Sequence, residues 1–253
     1  MRDDNKFIQI DGIDGSGKST LLAAARAWAE GRNLKIFDVV DWSEREKTLP
    51  RLEDVGVADV LLAAEPTHAG IGWAIRNEII RNDTPYDAAF ASHAFALDRG
   101  VQYRRLILPF LAARPGCWVI QDRGLLSSLA YQPLQYETEK REPGTGNGEP
   151  VTIEWLLTLP GNKIALERVP DVFVFLDVDP KLARDRLAGR SDKKDDVRYE
   201  HTKFQTALAE RFKRPDVTAP YTSRGTRMMV IDGGKTKVDV AVDMTRLLDE
   251  LSS

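Results

Sequence analysis

Eight consecutive residues, Gly12-Ile13-Asp14-Gly15-Ser16-Gly17-Lys18-Ser19, fit the pattern G-x-x-x-x-G-K-[ST]. That spacing suits one task, cradling the phosphates of a nucleoside triphosphate. Gly12, Gly15 and Gly17 let backbone N–H groups curl around phosphate oxygens. Ser16 lies within the same loop, and Thr20 follows in the helix whose N-terminal dipole faces the anion. Lys18 is placed to reach the β and γ phosphates, and the Ser19 hydroxyl to ligate Mg²⁺. ATP is the expected donor and Mg²⁺ the expected cofactor.

Two further groups of charges bear on where the phosphate goes. Asp122-Arg123 directly follows the apolar run CWVIQ, so a carboxylate and a guanidinium emerge together at the C-terminal end of a strand, where open α/β sheets bind ligands. Asp122 suits holding Mg²⁺ through water, and Arg123 suits neutralising a transferring phosphoryl group; a surface ion pair is the simpler alternative. Arg184, Arg186 and Arg190 recur after VPDVFVFLDV, with Lys193 and Lys194 and four aspartates interspersed. A segment of this kind, about 184–200, is expected to form a helical lid that folds over the triphosphate and brings an arginine, Arg186 or Arg190, to the transition state. A solvated helix face is the competing reading.

Strand-like runs at 6–11, 35–40 or 58–66, 117–122, 169–178 and 227–232 alternate with helical segments. Only one of 35–40 and 58–66 is needed to complete a five-stranded parallel sheet. The expected class is a three-layer α/β fold of the P-loop NTPase type, with helices on both faces and the lid above, formed by residues 1–253 as one domain. Residues 136–150 (YETEKREPGTGNGEP) read as an exposed loop. The composition, 42% hydrophobic and 30% charged, is that of a packed globular chain. With 36 Lys+Arg against 39 Asp+Glu, there is no basic field to hold a nucleic-acid polymer. No apolar stretch is long enough to span a membrane, the start MRDDNKFIQI lacks an apolar leader core, and the lone Cys117 forms no internal disulfide. A cytosolic location is expected.

FIQIDGIDGSGKST (7–20), EPT (65–67), FALDR (95–99), DRGLLSSLAYQ (122–132) and PDVFVFLDVDP (170–180) occur in an order that resembles the thymidylate kinase family of nucleoside monophosphate kinases. The resemblance implies transfer of the ATP γ-phosphoryl group to a deoxynucleoside monophosphate, dTMP first of all, in a homodimer. Asp14 then matches the carboxylate that binds the acceptor's 3′-hydroxyl, Phe95 the ring stacked on the base, and Arg99 the guanidinium that hydrogen-bonds the base. Ser128 and Tyr131 match contacts to the base edge and sugar, and Glu65 a carboxylate near the acceptor phosphate and metal. Gly15 stands where some members carry a P-loop arginine, which directs attention to the lid arginines instead. Alternatives are a deoxynucleoside kinase acting on a 5′-hydroxyl, with Glu65 as base, and a non-catalytic nucleotide-binding regulator. Ala64 replaces the usual arginine before E-P, Gly124 replaces the usual aromatic after D-R, the stretch after Arg99 reads GVQY, and insertions occupy about 38–57 and 136–150. These departures border the acceptor pocket and are expected to bear on the base more than on the phosphoryl chemistry.

Overall fold

The structure, a computed structural model, describes residues 4–82, 84–140, 149–189 and 202–253. Strands β1 (Lys6–Asp11), β2 (Ile36–Asp38), β3 (Val60–Ala64), β4 (Trp118–Asp122), β5 (Val172–Asp177) and β6 (Arg227–Asp232) form one sheet in the order β2-β3-β4-β1-β5-β6, parallel throughout. The expected count of five is corrected to six, because both 35–40 and 58–66 enter the sheet. β2 stops after three residues because the Asp38 carboxylate accepts from the backbone N–H groups of Val40 and Asp41 and starts a helix there.

Helix α1 (Lys18–Gly31) follows β1, and α2 (Val39–Glu46) and α3 (Leu52–Val55) lie between β2 and β3. Between β3 and β4 come α4 (Gly70–Ala74), α5 (Ala88–Gln102) and α6 (Leu108–Ala113); between β4 and β5 come α7 (Leu125–Glu139), α8 (Ile153–Thr158) and α9 (Pro160–Glu167). Helices α10 (Pro180–Ala188), α11 (Thr202–Arg211) and α12 (Pro215–Thr222) precede β6, and α13 (Lys237–Ser252) follows it. Successive strand residues point to opposite faces. Phe7, Leu61, Val119 and Phe173 pack with α5, α7 and α9 on one side, while Ile8, Val60, Ile120 and Val174 pack with α1 and α13 on the other.

The first insertion is part of the core. Val39, Leu49 and Val55 are buried in the larger cluster, and Glu44 of α2 meets His68 at 2.8 Å beside the E-P-T loop. Within 136–150, the expected loop is corrected over Tyr136–Glu139, which continue α7. Those four residues contain no breaker, and Glu139 accepts both from Gln135 one turn earlier and from the Ala88 N–H that opens α5. Residues 141–148 and the lid residues 190–201, Arg190 included, lie outside the described residues.

The order β3-β4-β1 places three C-terminal strand ends side by side, with Ala64, Asp122 and Ile10 in register. The loops that begin at Glu65, Arg123 and Gly12 therefore open onto one crevice.

Candidate active site

The P-loop adopts the shape its glycines permit. Gly15 and Gly17 have φ of 79° and 107°, left-handed values that suit residues without a Cβ. Gly17 caps α1 without any side-chain hydrogen bond, which leaves the first N–H groups of the helix available to an anion. Lys18 Nζ donates to the Gly12 and Ile13 carbonyls at 2.9 and 3.1 Å. Burial, with the Arg123 charge nearby, lowers the lysine's pKa from its ordinary value. Gly15 has a second constraint, since a Cβ there would lie 2.3 Å from the Ala183 carbonyl oxygen of α10. The space an arginine at this position would need is filled by α10.

Arg123 links the P-loop to α7. Its Nη1 donates to Asp11 Oδ1 and Tyr131 Oη, both at 3.2 Å, its Nη2 pairs with Asp14, and its guanidinium lies 5.3 Å from the Tyr131 ring centroid. Burial pushes the Asp14 carboxyl up, but Arg123 and Lys18 outweigh it and hold it below the usual range. At fully enclosed Asp11 burial wins and the pKa is raised, although Ser127 and the Gly12 N–H donate to it. Gln205, on α11 beyond the lid, closes the cluster by donating to Asp14 Oδ2 and accepting from the Asp14 N–H, both at 3.3 Å.

Arg99 is 1% exposed and is therefore not a solvated helix charge. Its Nε and Nη2 meet Glu65 Oε2 at 2.9 and 2.7 Å, and Nη2 also donates to Ser128 Oγ at 2.8 Å. Glu65 Oε1 accepts from Gln121 Nε2 at 2.9 Å. Burial pushes the Glu65 carboxyl up to about 7 from its ordinary 4.5, against the pull of Arg99. The folded protein thus keeps a proton that the unfolded chain has released. Glu65 withdraws stability as pH climbs from about 4.5 to about 7. Denaturant unfolding across this range is expected to show a shallower decline in Glu65→Gln than in the parent; equal slopes would contradict the shift.

These clusters line one cleft of about 400 Å³. Of the residues singled out in the sequence, Asp14, Gly15, Gly17, Lys18, Ser19, Glu65, Phe95, Arg99, Asp122, Arg123, Ser128 and Tyr131 line it. Gly12 and Ser16 are buried behind the loop, and Thr20 lies in α1. Arg186 is not in the cleft lining; its Nη1 donates to the carbonyls of Ser16 and Gly233 at 3.2 and 2.7 Å, tying α10 to the back of the P-loop.

Sequence reasoning missed Arg76 and Gln132, which also line the cleft. Arg76 donates to the Pro66 and Thr67 carbonyls and brings a guanidinium to the side where Ala64 supplies none. In the sequence it reads as one charge among the apolar residues of IGWAIRNEII. Gln132 is one turn beyond Ser128 on α7, and its buried Oε1 has no partner among the described residues; the four-residue spacing was its available signal.

Gly124 lines the cleft through its backbone only. A Cβ there would point away from the cleft, 2.3 Å from Nε2 of the fully buried Gln9. Gln9 fills the space with an amide satisfied at both ends, Nε2 donating to Tyr103 Oη at 3.1 Å and Oε1 accepting from Tyr221 Oη at 2.7 Å. The missing aromatic is thereby accounted for inside the core. Gly124→Ala is expected to lower unfolding free energy by about 2 kcal/mol through overpacking while leaving acceptor KM within about threefold, as enzyme kinetics beside urea melts would register. A large KM change at unaltered stability would mean that the side chain enters the cleft.

Asp122 Oδ1 is a buried carboxylate oxygen without a hydrogen-bond partner among the described residues, and it shares the cleft with Ser19. One carboxylate and one hydroxyl, completed by phosphate and water oxygens, is a donor set that fits Mg²⁺. Among the described residues no helix is long and apolar enough to cross a membrane.

Comparison with known proteins agrees with this geometry. The thymidylate kinase family model matches residues 43–240, an interval that begins after the P-loop, so it is independent of that motif. A probable thymidylate kinase of Thermococcus onnurineus is 33% identical over 218 residues, 81% of this chain and 85% of the relative. The thymidylate kinase of Carboxydothermus hydrogenoformans is 26% identical over 250 residues, 98% of each chain. A probable thymidylate kinase of Pyrobaculum aerophilum is 27% identical over 96% of this chain and 95% of its own. With most of its length matched by the family model, and with P-loop, E-P and D-R residues gathered in one cleft with Phe95, Arg99, Ser128 and Tyr131, the chain belongs to the thymidylate kinase family.

Proposed function

We propose that this protein transfers the γ-phosphoryl group of ATP to the 5′-phosphate of dTMP, giving dTDP and ADP. The observation that carries the reading is the shared cleft: Lys18 and Ser19 form one wall, and Phe95, Arg99, Ser128 and Tyr131 the other. In this reading Phe95 stacks on the base, Arg99 with Ser128 and Gln132 meets its edge, Tyr131 packs on the sugar, and Asp14 accepts from the 3′-hydroxyl. Arg76 and Arg123 hold the acceptor phosphate, while Lys18 and the lid arginine Arg190 neutralise charge on the moving phosphoryl group, and Arg186 anchors α10 to the P-loop. Ser19 and Asp122 would hold Mg²⁺, which would supply neutralisation of phosphate charge. Positioning carries the rate, and no strong base is required.

The nucleoside-kinase alternative asks Glu65 to take a proton from a 5′-hydroxyl. A pKa near 7 would suit that task, but both Glu65 oxygens already accept from Arg99 and Gln121. The geometry therefore favours a monophosphate acceptor. Pairing with a second copy through α4 and α5 would cover Trp73, Phe90 and Leu97, which are 57%, 50% and 59% exposed, and a cytoplasmic location accords with these substrates. Coupled ADP release with ATP/Mg²⁺ against dTMP, dUMP, dCMP, dGMP and thymidine tests the reaction. Turnover is expected with dTMP above the others. Activity on thymidine without activity on monophosphates would replace the reading, and silence with every acceptor would leave a nucleotide-binding regulator.

A further inference from the structure

Arg99 carries five N–H groups, and its partners use four of them. Nε–H goes to Glu65, whose Oε2 also lies 2.7 Å from Nη2, the two Nη2–H groups go to Ser128 and, at 3.3 Å, to the Gly124 carbonyl, and one Nη1–H goes to Asn162 Oδ1 on α9. Among the described residues nothing takes the second Nη1–H, which is left for a ligand in the cleft that Arg99 lines. The atom bearing that hydrogen is the one Asn162 holds.

Asn162 is itself fixed. It is 1% exposed, and its Nδ2 donates to the Leu156 carbonyl of α8 at 2.8 Å. The reversed amide would turn an N–H toward the guanidinium, so one orientation satisfies both partners. Its short side chain reaches Arg99 because α5 and α9 touch backbone to backbone: a Cβ on Gly161 would lie 1.6 Å from the Ala96 carbonyl oxygen, and one on Gly100 would lie 3.0 Å from Gly161 Cα. Two glycines thus bring a buried amide against the back of the guanidinium, in a segment to which the sequence assigned no chemistry.

We infer that Asn162 is a positioning residue that orients Arg99, so that a single N–H faces the acceptor base and discriminates a ring carbonyl from a ring amino group. The inference rests on the reading that Arg99 meets the base. A carbonyl oxygen, as at C4 of thymine, accepts that hydrogen. The amino group of cytosine at the same place would set donor against donor, and a buried unpaired donor is what makes such discrimination strong. Without Asn162 the guanidinium gains freedom to turn, and the penalty against the amino group falls.

The test compares the parent with Asn162→Ala and Asn162→Asp, measuring kcat and KM for dTMP and dCMP, KM for ATP, and thermal stability. Asn162→Ala is expected to raise dTMP KM about tenfold and to lower the dTMP-over-dCMP preference about tenfold, with KM for ATP unchanged. Asn162→Asp keeps an oxygen for Nη1–H but loses the bond to Leu156. It is expected to restore most of the preference while being destabilised as much as the alanine variant. Lower stability with preference and dTMP KM unchanged in Asn162→Ala would overturn the inference and leave Asn162 as packing alone. A parent that uses neither monophosphate would overturn both this inference and the functional reading, whereas a dTMP-active parent with an indifferent Asn162 overturns only this one.

Discussion

Lys18→Ala is expected to lower kcat with dTMP about a hundredfold to a thousandfold, with little change in melting temperature. The ammonium reaches the P-loop carbonyls of Gly12 and Ile13, a pose it exchanges for phosphate oxygens when the triphosphate binds. Charge that grows on those oxygens in the transition state then meets a donor already in place, and a lost donor of this type is worth two to three powers of ten. The fold should tolerate the change, because burial already disfavours the charged lysine and its departure strands no hydrogen-bonded partner other than two loop carbonyls. Steady-state kinetics beside a melting curve decides the matter. Turnover within about tenfold of the parent would remove Lys18 from the chemistry.

Arg123→Ala is expected to act twice, on rate and on stability. Among the described residues the guanidinium is the cation paired with Asp11, which is fully buried, and with Asp14. Its removal leaves a buried carboxylate without its cation, a change that destabilises by about 3 kcal/mol, and takes from the cleft the group proposed to hold the acceptor phosphate, a loss of about a thousandfold in kcat/KM. A second substitution separates the two effects. Asp11→Asn added to Arg123→Ala should recover most of the stability and none of the activity. If activity returned with stability, Arg123 would be a structural ion pair, the simpler alternative its sequence context allowed.

The P-loop was legible because its parts are contiguous: strand, glycines and helix follow one another within residues 6–31. Asp122-Arg123 was legible because an apolar run ending in charge marks the C-terminal edge of a parallel strand. Residues whose task depends on distant segments were not. Asn162 meets Arg99 across 63 positions and Gln205 meets Asp14 across 191, and no local period announces such a meeting. Gly124 misled for a related reason. Its place after D-R suggested a change in the base pocket, while the direction of its absent side chain, toward Gln9, Tyr103 and Tyr221, is fixed by β1, the end of α5 and α12 packing together. The sixth strand escaped because Asp38 caps a helix in mid-run, so KIFDVV carries half a strand and half a helix start.

The central claim is that the acceptor is a monophosphate and the product a diphosphate. Incubation with γ-³²P-labelled ATP, Mg²⁺ and dTMP, followed by chromatographic separation of the nucleotides, reads this directly. Labelled dTDP carrying the isotope in its β-phosphate is the predicted product. Label appearing only in dTMP when thymidine is supplied, with no dTDP formed from dTMP, would contradict it.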